Sequence, residues 1–84
     1  MYSIIVYPEA AEQIEALPGE ALPGYAEVLD VLEVQPWAGS PQHESNPEAP
    51  VRRWAFGSGQ AGHVIYLILE DQRRVDILLV QWLA

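Results

Sequence analysis

Short strand-like apolar runs lie towards both ends of this chain, and apolar residues recur at helical spacing between them. Tyr2-Ser3-Ile4-Ile5-Val6-Tyr7 is rich in β-branched and aromatic residues and predicts a half-buried strand. Pro8 ends it and suits the first turn of a helix. Glu9 and Glu12 follow, as the positive end of a helix prefers. Ala11, Ile14 and Leu17 recur at helical spacing, so residues 8–17 predict a short amphipathic helix. Pro18-Gly19 stops it. Leu22, Tyr25, Leu29 and Leu32 then mark one face of a second helix, with Val28 beside them. Proline inside a helix costs about 3 kcal/mol, which places the start near Pro23. Gln35-Pro36 places the end.

Residues 36–50 hold four prolines, with Gly39, Ser40, Ser45 and Asn46. They predict a surface loop long enough to be functional or mobile, with Trp37 anchoring it to the core. Residues 51–57 alternate as an amphipathic strand, and Gly57–Gly62 is a flexible turn. Residues 63–69 (HVIYLIL) are almost continuously apolar, as a central strand covered on both faces would be. Glu70–Arg73 makes the next hairpin and residues 74–82 the last strand. The expected fold class is α+β in a single domain, 1–84. An N-terminal strand leads into a two-helix hairpin and a three-stranded antiparallel meander, and the helices pack on one face of a four-stranded sheet.

Charge sharpens this picture. Residues 1–51 contain no Lys or Arg but nine carboxylates. Arg52, Arg53, Arg73 and Arg74 all lie in the last third, against Glu70, Asp71 and Asp76, and the chain carries a net charge of −8. A negatively charged partner must therefore meet the sheet or its edges. Nonspecific nucleic-acid binding needs clustered cations that release counterions. The net charge thus disfavours a ribosome or mRNA partner, although a local patch can act within the ~8–10 Å screening length. There is no Cys, so neither a disulfide nor a thiolate metal site exists, and a reducing compartment fits. The N-terminal residues lack a basic segment and a long apolar run, and the later apolar runs are short. The expectation is a cytoplasmic protein that enters no membrane.

His63 is the leading chemical candidate. An ordinary imidazole pKa of about 6.5 suits proton transfer, and His63 sits beside a Gly-rich turn. Its bland alternative is a strand-end histidine in a local hydrogen bond. Arg52 and Arg53 point to opposite faces of one strand, so only one can join a given site. Either can bind phosphate; neither can be a general base, because the guanidinium pKa exceeds about 12. In so acidic a chain their commoner role is pairing with the acidic helices or loop. Arg73 and Arg74 read as solvated hairpin charges. His43 beside Glu44 lacks metal-ligand spacing, so neither a metal nor any other cofactor is expected. Glu9, Glu12 and Glu15 read as a solvated helix face. Trp54, Phe56, Tyr66 and Trp82 read as core or interface aromatics rather than base-stacking platforms. GSGQAG lacks the Lys-Ser/Thr of a P-loop and joins two strands.

The opening strand YSIIVYPEA, the acidic–apolar helix pair, Pro36-Trp37 and the hairpin HVIYLILEDQRRVDILLVQW together resemble the RelE/ParE superfamily of bacterial type II toxins. Val64, Ile65, Tyr66, Glu70 and Asp71 match one family strand; Val75, Ile77, Leu78 and Val80 match the next. The resemblance implies a toxin-like protein with a cognate antitoxin or another small protein as partner. In the RelE branch it implies a ribosome-dependent, metal-independent mRNA endonuclease, and in the ParE branch a gyrase inhibitor. The family spreads its chemistry over basic residues of the second strand, an Arg opening the third, and an Arg with Tyr or His after the fourth. Here those places hold Arg52 and Arg53, His63, and Gln81-Trp82-Leu83-Ala84, so the implied catalytic set is His63, Arg53 and Arg52, and it is incomplete. A catalytically inactive interaction module on the same fold is the alternative. It would bind a basic partner or an antitoxin-like segment, or form a homodimer through the sheet or the Trp-rich C-terminus.

Overall fold

A computed structural model of the chain describes residues 1–43 and 45–83. Strand β1 (Ser3–Val6) leads into helix α1 (Pro8–Glu15), which is shorter than residues 8–17. Helix α2 (Leu22–Val34) begins with Pro23 in its first turn, where the missing N–H costs nothing. Strand β2 (Ser40–Pro41) follows. The meander is β3 (Val51–Phe56), β4 (Gly62–Leu69) and β5 (Arg74–Trp82). The α+β class and the one-sided helix packing hold. The sheet nevertheless has five strands, in the order β1-β5-β4-β3-β2. The extra one comes from the Pro-rich segment: Ser40 and Pro41 pair antiparallel with Arg53 and Arg52.

β1 pairs with β5 in parallel and the remaining pairs are antiparallel. The core lies between the helices and one sheet face. Tyr25, Val28 and Leu32 of α2 and Ala10 of α1 meet Val64, Tyr66, Ile68, Val75, Ile77 and Val80. Each large side chain buried this way contributes about 1.5–3 kcal/mol. A β-bulge interrupts the β4–β5 register: Ile65 faces Leu79 while Tyr66 faces Ile77, so Leu78 is an extra residue. The bulge explains why Ile77 and Val80, three residues apart, both face the core.

β4 is not covered on both faces as its composition predicts. Val64, Tyr66 and Ile68 are buried, whereas His63, Ile65, Leu67 and Leu69 are only half-buried. The helices cover one face, and the described residues supply no second layer.

Trp37 stays 39% exposed, and Pro36 is buried in its place. Trp37 does anchor its segment, but by polar contact. Its Nε1 donates to Glu70 Oε1 at 2.7 Å, and the Tyr2 hydroxyl donates to the same oxygen at 2.6 Å. Arg73 donates to Glu70 Oε2 at 3.0 Å and lies over the Tyr2 ring, 4.3 Å from its centroid. Deeper in, the Tyr66 hydroxyl donates to the Pro36 carbonyl at 2.6 Å, and burial pushes the phenol up to about 12. Gly39 packs directly on that hydroxyl, and any Cβ there would collide with it.

Two outcomes follow. Tyr66→Phe leaves the Pro36 carbonyl without its partner and should lower unfolding free energy by about 1–3 kcal/mol in urea titration. The hydrogen bonds from Trp37 and Tyr2 hold the Glu70 carboxyl below its ordinary 4.5. A depressed folded pKa adds stability that is present above the ordinary value and is lost as pH falls through the folded one. Melting temperature should therefore fall on acidification below about pH 4.5, and Glu70→Gln should flatten part of that fall.

Candidate functional site on the open sheet face

Strand alternation decides which polar side chains share the uncovered face. On β3, Val51, Arg53 and Ala55 pair with Leu67, Ile65 and His63 of β4. On the other side, His63 pairs with Gln81 and Ile65 with Leu79 of β5. Arg53, His63 and Gln81 therefore stand on one face, around the half-buried Ile65 and Leu79. Arg53 and His63 are diagonal neighbours across the β3–β4 ladder, a relation that sets such residues roughly 7–8 Å apart, within reach of long side chains.

Arg53 is exposed and opposes Ser40 of β2. It lines a cleft of about 290 Å³ with Gly39, Ser40, Ala55 and Gln60. Gln60 has a left-handed backbone (φ 56°) in the turn between β3 and β4, which begins at Gly57 with φ 81°. That turn and the β2 segment form the two walls of the cleft.

Arg52 is absent from this site. It faces the helix side, is 8% exposed, and clamps the Pro-rich segment. Nη1 donates to the Gly39 carbonyl at 2.7 Å and Nη2 to the Pro47 carbonyl at 2.6 Å. Its guanidinium also lies 5.0 Å from the Trp37 ring centroid. Arg52 thus pairs with the loop as anticipated, but with backbone carbonyls rather than carboxylates. The structure brings His63 and Arg53 together and separates Arg52 from both.

The open face also holds a second polar group. Arg74 is not a solvated hairpin charge. It grips Asp76 through Nε–Oδ1 at 2.8 Å and Nη2–Oδ2 at 3.1 Å, and the Asp76 side chain is only 2% exposed. The Tyr7 hydroxyl donates to Asp76 Oδ2 at 3.2 Å. The carboxylate raises the Arg74 pKa still further, chiefly by accepting its hydrogen bond. The Arg-x-Asp spacing at strand period two shows that these side chains share a face. Tyr7, 69 residues from Asp76 in sequence, could not be found without the β1–β5 pairing.

The described residues contain no group of three or more His, Cys, Asp or Glu able to hold a metal ion. His43 is exposed, and its neighbour Glu44 lies outside the described residues. No described helix is long and apolar enough to cross a membrane.

A one-faced sheet with a helical hairpin beneath it and a polar cluster above defines a small α+β architecture found in solved toxin structures. The chain superposes on a chain of the intact Escherichia coli RelBE toxin–antitoxin complex with a TM-score of 0.80 at 12% identity, over 98% of this chain and 96% of that one. A chain of the Mycobacterium tuberculosis RelBE2 complex gives 0.73 at 21% identity, over 96% of each chain. One from the archaeal RelE–RelB complex of Pyrococcus horikoshii gives 0.68 at 16%, over 96% and 93%. No family model matches the sequence, and no curated protein is significantly similar to it. The chain has the RelE fold.

The two adjacent arginines should separate cleanly. Arg52→Ala should cost about 1.5–3 kcal/mol of stability through its charged hydrogen bonds. Arg53→Ala should change stability by no more than about 0.5 kcal/mol in the same denaturant titration.

Proposed function

We propose that this protein is a toxin-like component of a bacterial type II toxin–antitoxin pair whose open sheet face contacts RNA, with Arg53 on phosphate and His63 as the proton-transfer group. One observation carries the reading: on a RelE fold, the exposed cation and the imidazole stand diagonally on the same uncovered face. Cleavage through a 2′-hydroxyl needs a base, an acid for the leaving oxygen, and positive charge on the phosphate. His63 can supply one proton-transfer role and Arg53 the charge. The second proton-transfer group and further cations are not among the residues gathered here, so the reaction on this face is slow, or needs the ribosome to complete it. Structures of RelE with RelB, from E. coli and P. horikoshii, support an antitoxin as the protein partner.

One finding favours a second reading, a non-catalytic module. Three of the four arginines are engaged within the chain: Arg52 by loop carbonyls, Arg73 by Glu70 and Arg74 by Asp76. One outward arginine among the described residues, on a chain of net charge −8, gives little counterion release, and so little RNA affinity.

Induced expression in bacteria separates the two. Growth arrest with ribosome-dependent mRNA cleavage supports the enzyme. In that case His63→Ala should reduce cleavage about 10²–10⁴-fold, the range of general acid–base catalysis. Arg53→Ala should weaken it at least about tenfold while leaving the fold intact. Unimpaired growth and intact mRNA, with capture of a small antitoxin-like protein, would favour the module.

A further inference from the structure

The two edges of the sheet are built differently. The β2 edge is two residues long and ends in Pro41, which cannot donate to an added strand. The β1 edge has no such guard. Ser3 N donates to the Arg73 carbonyl at 2.9 Å and Tyr7 N to the Ile77 carbonyl at 3.0 Å, so the odd-numbered residues face β5. By alternation, the N–H and C=O groups of Ile4 and Val6 point away from the sheet. The side chains along this edge are apolar and open: Ile5 is 45% exposed, Val6 38% and Tyr7 40%.

We propose that a second copy of this chain docks on this edge, β1 against β1, antiparallel about a two-fold axis at Ile5. Ile4 of each copy then exchanges both backbone hydrogen bonds with Val6 of the other. The two Ile5 side chains meet as a close non-hydrogen-bonded pair, about 4.5 Å apart at Cα. An isologous contact needs a self-complementary patch, and an apolar strand supplies one. Charge selects the same place. Copies of a chain with net charge −8 repel each other, but residues 1–8 carry no Asp or Glu. The nearest carboxylate in the pairing register, Asp76 opposite Ile5, is already held by Arg74. The helix faces, by contrast, present Glu9, Glu12, Glu15, Glu20, Glu27 and Asp30 to solvent. A strand this short buries less than the ~1,200 Å² of a stable interface, so the dimer is weak and concentration-dependent. The inference goes beyond the nuclease and antitoxin readings and stands whether or not the open face cleaves RNA.

Sedimentation velocity from about 10 μM to about 1 mM should show a monomer–dimer equilibrium. Ile5→Lys places two charges across the axis and should raise the dimer dissociation constant at least about tenfold. Val6→Pro removes an outward donor that the β1–β5 ladder does not use, and should do the same. Leu83→Lys, just past the far end of β5, should leave it unchanged. In the wild-type chain, amide exchange at Ile4 and Val6 should slow as concentration rises, a readout that needs no variant. A chain that stays monomeric throughout, or a dimer in which those two amides gain no protection, overturns the proposal.

Discussion

The constraint behind this structure is that a sheet has two faces and the chain has helix for only one. Two short helices cover one side with Tyr25, Val28, Leu32 and Ala10. The strands answer with residues buried on that side and half-buried on the other. Several features relate to the uncovered side. The Pro-rich segment folds back as a fifth strand and walls a cleft. The bulge at Leu78 keeps the core face apolar without making β5 regular. Arg74 and Tyr7 neutralise and satisfy a carboxylate that would otherwise be buried and alone.

Electrostatics in this molecule are mostly inward. A buried guanidinium is costly to desolvate, and the two Nη atoms of Arg52 offset that cost by holding backbone carbonyls of the Pro-rich loop, while its Nε has no partner among the described residues. Glu70 gathers Tyr2, Trp37 and Arg73, which ties the N-terminus, the loop and the last hairpin together at one end of the sheet. The lopsided charge of the sequence therefore divides in space. Most of the carboxylates lie on the helices and most of the arginines lock the sheet's periphery. Among the described residues Arg53 is left as the arginine that can serve an outside ligand.

Much of the fold was legible because it is local. Periodicity located both helices and all three meander strands, and Pro23 marked the start of α2 to within one residue. The β2 strand was hidden because two residues carry no period, and its pairing with β3 depends on Arg52 and Tyr66 holding the segment down. Coverage of β4 was misjudged because an apolar run does not reveal how much helix the chain can spare for a second layer. Within the site, alternation correctly placed Arg52 and Arg53 on opposite faces, but it could not say which face was covered. The Tyr7–Asp76 contact joins the two ends of the chain, and only the parallel β1–β5 pairing discloses it.

That pairing has a consequence in time. Ser3 lies beside Arg74, and Tyr2 bonds to Glu70 across 68 residues. β1 cannot take its place in the sheet before β5 has formed, because among the described residues β5 is the only strand that β1 pairs with. Until then its apolar residues have no sheet to join, and closing so long a loop is entropically slow. The sheet therefore closes only once β1 and β5 are both present, and the Asp76 cluster, which takes Tyr7 from the end of β1, cannot assemble before then.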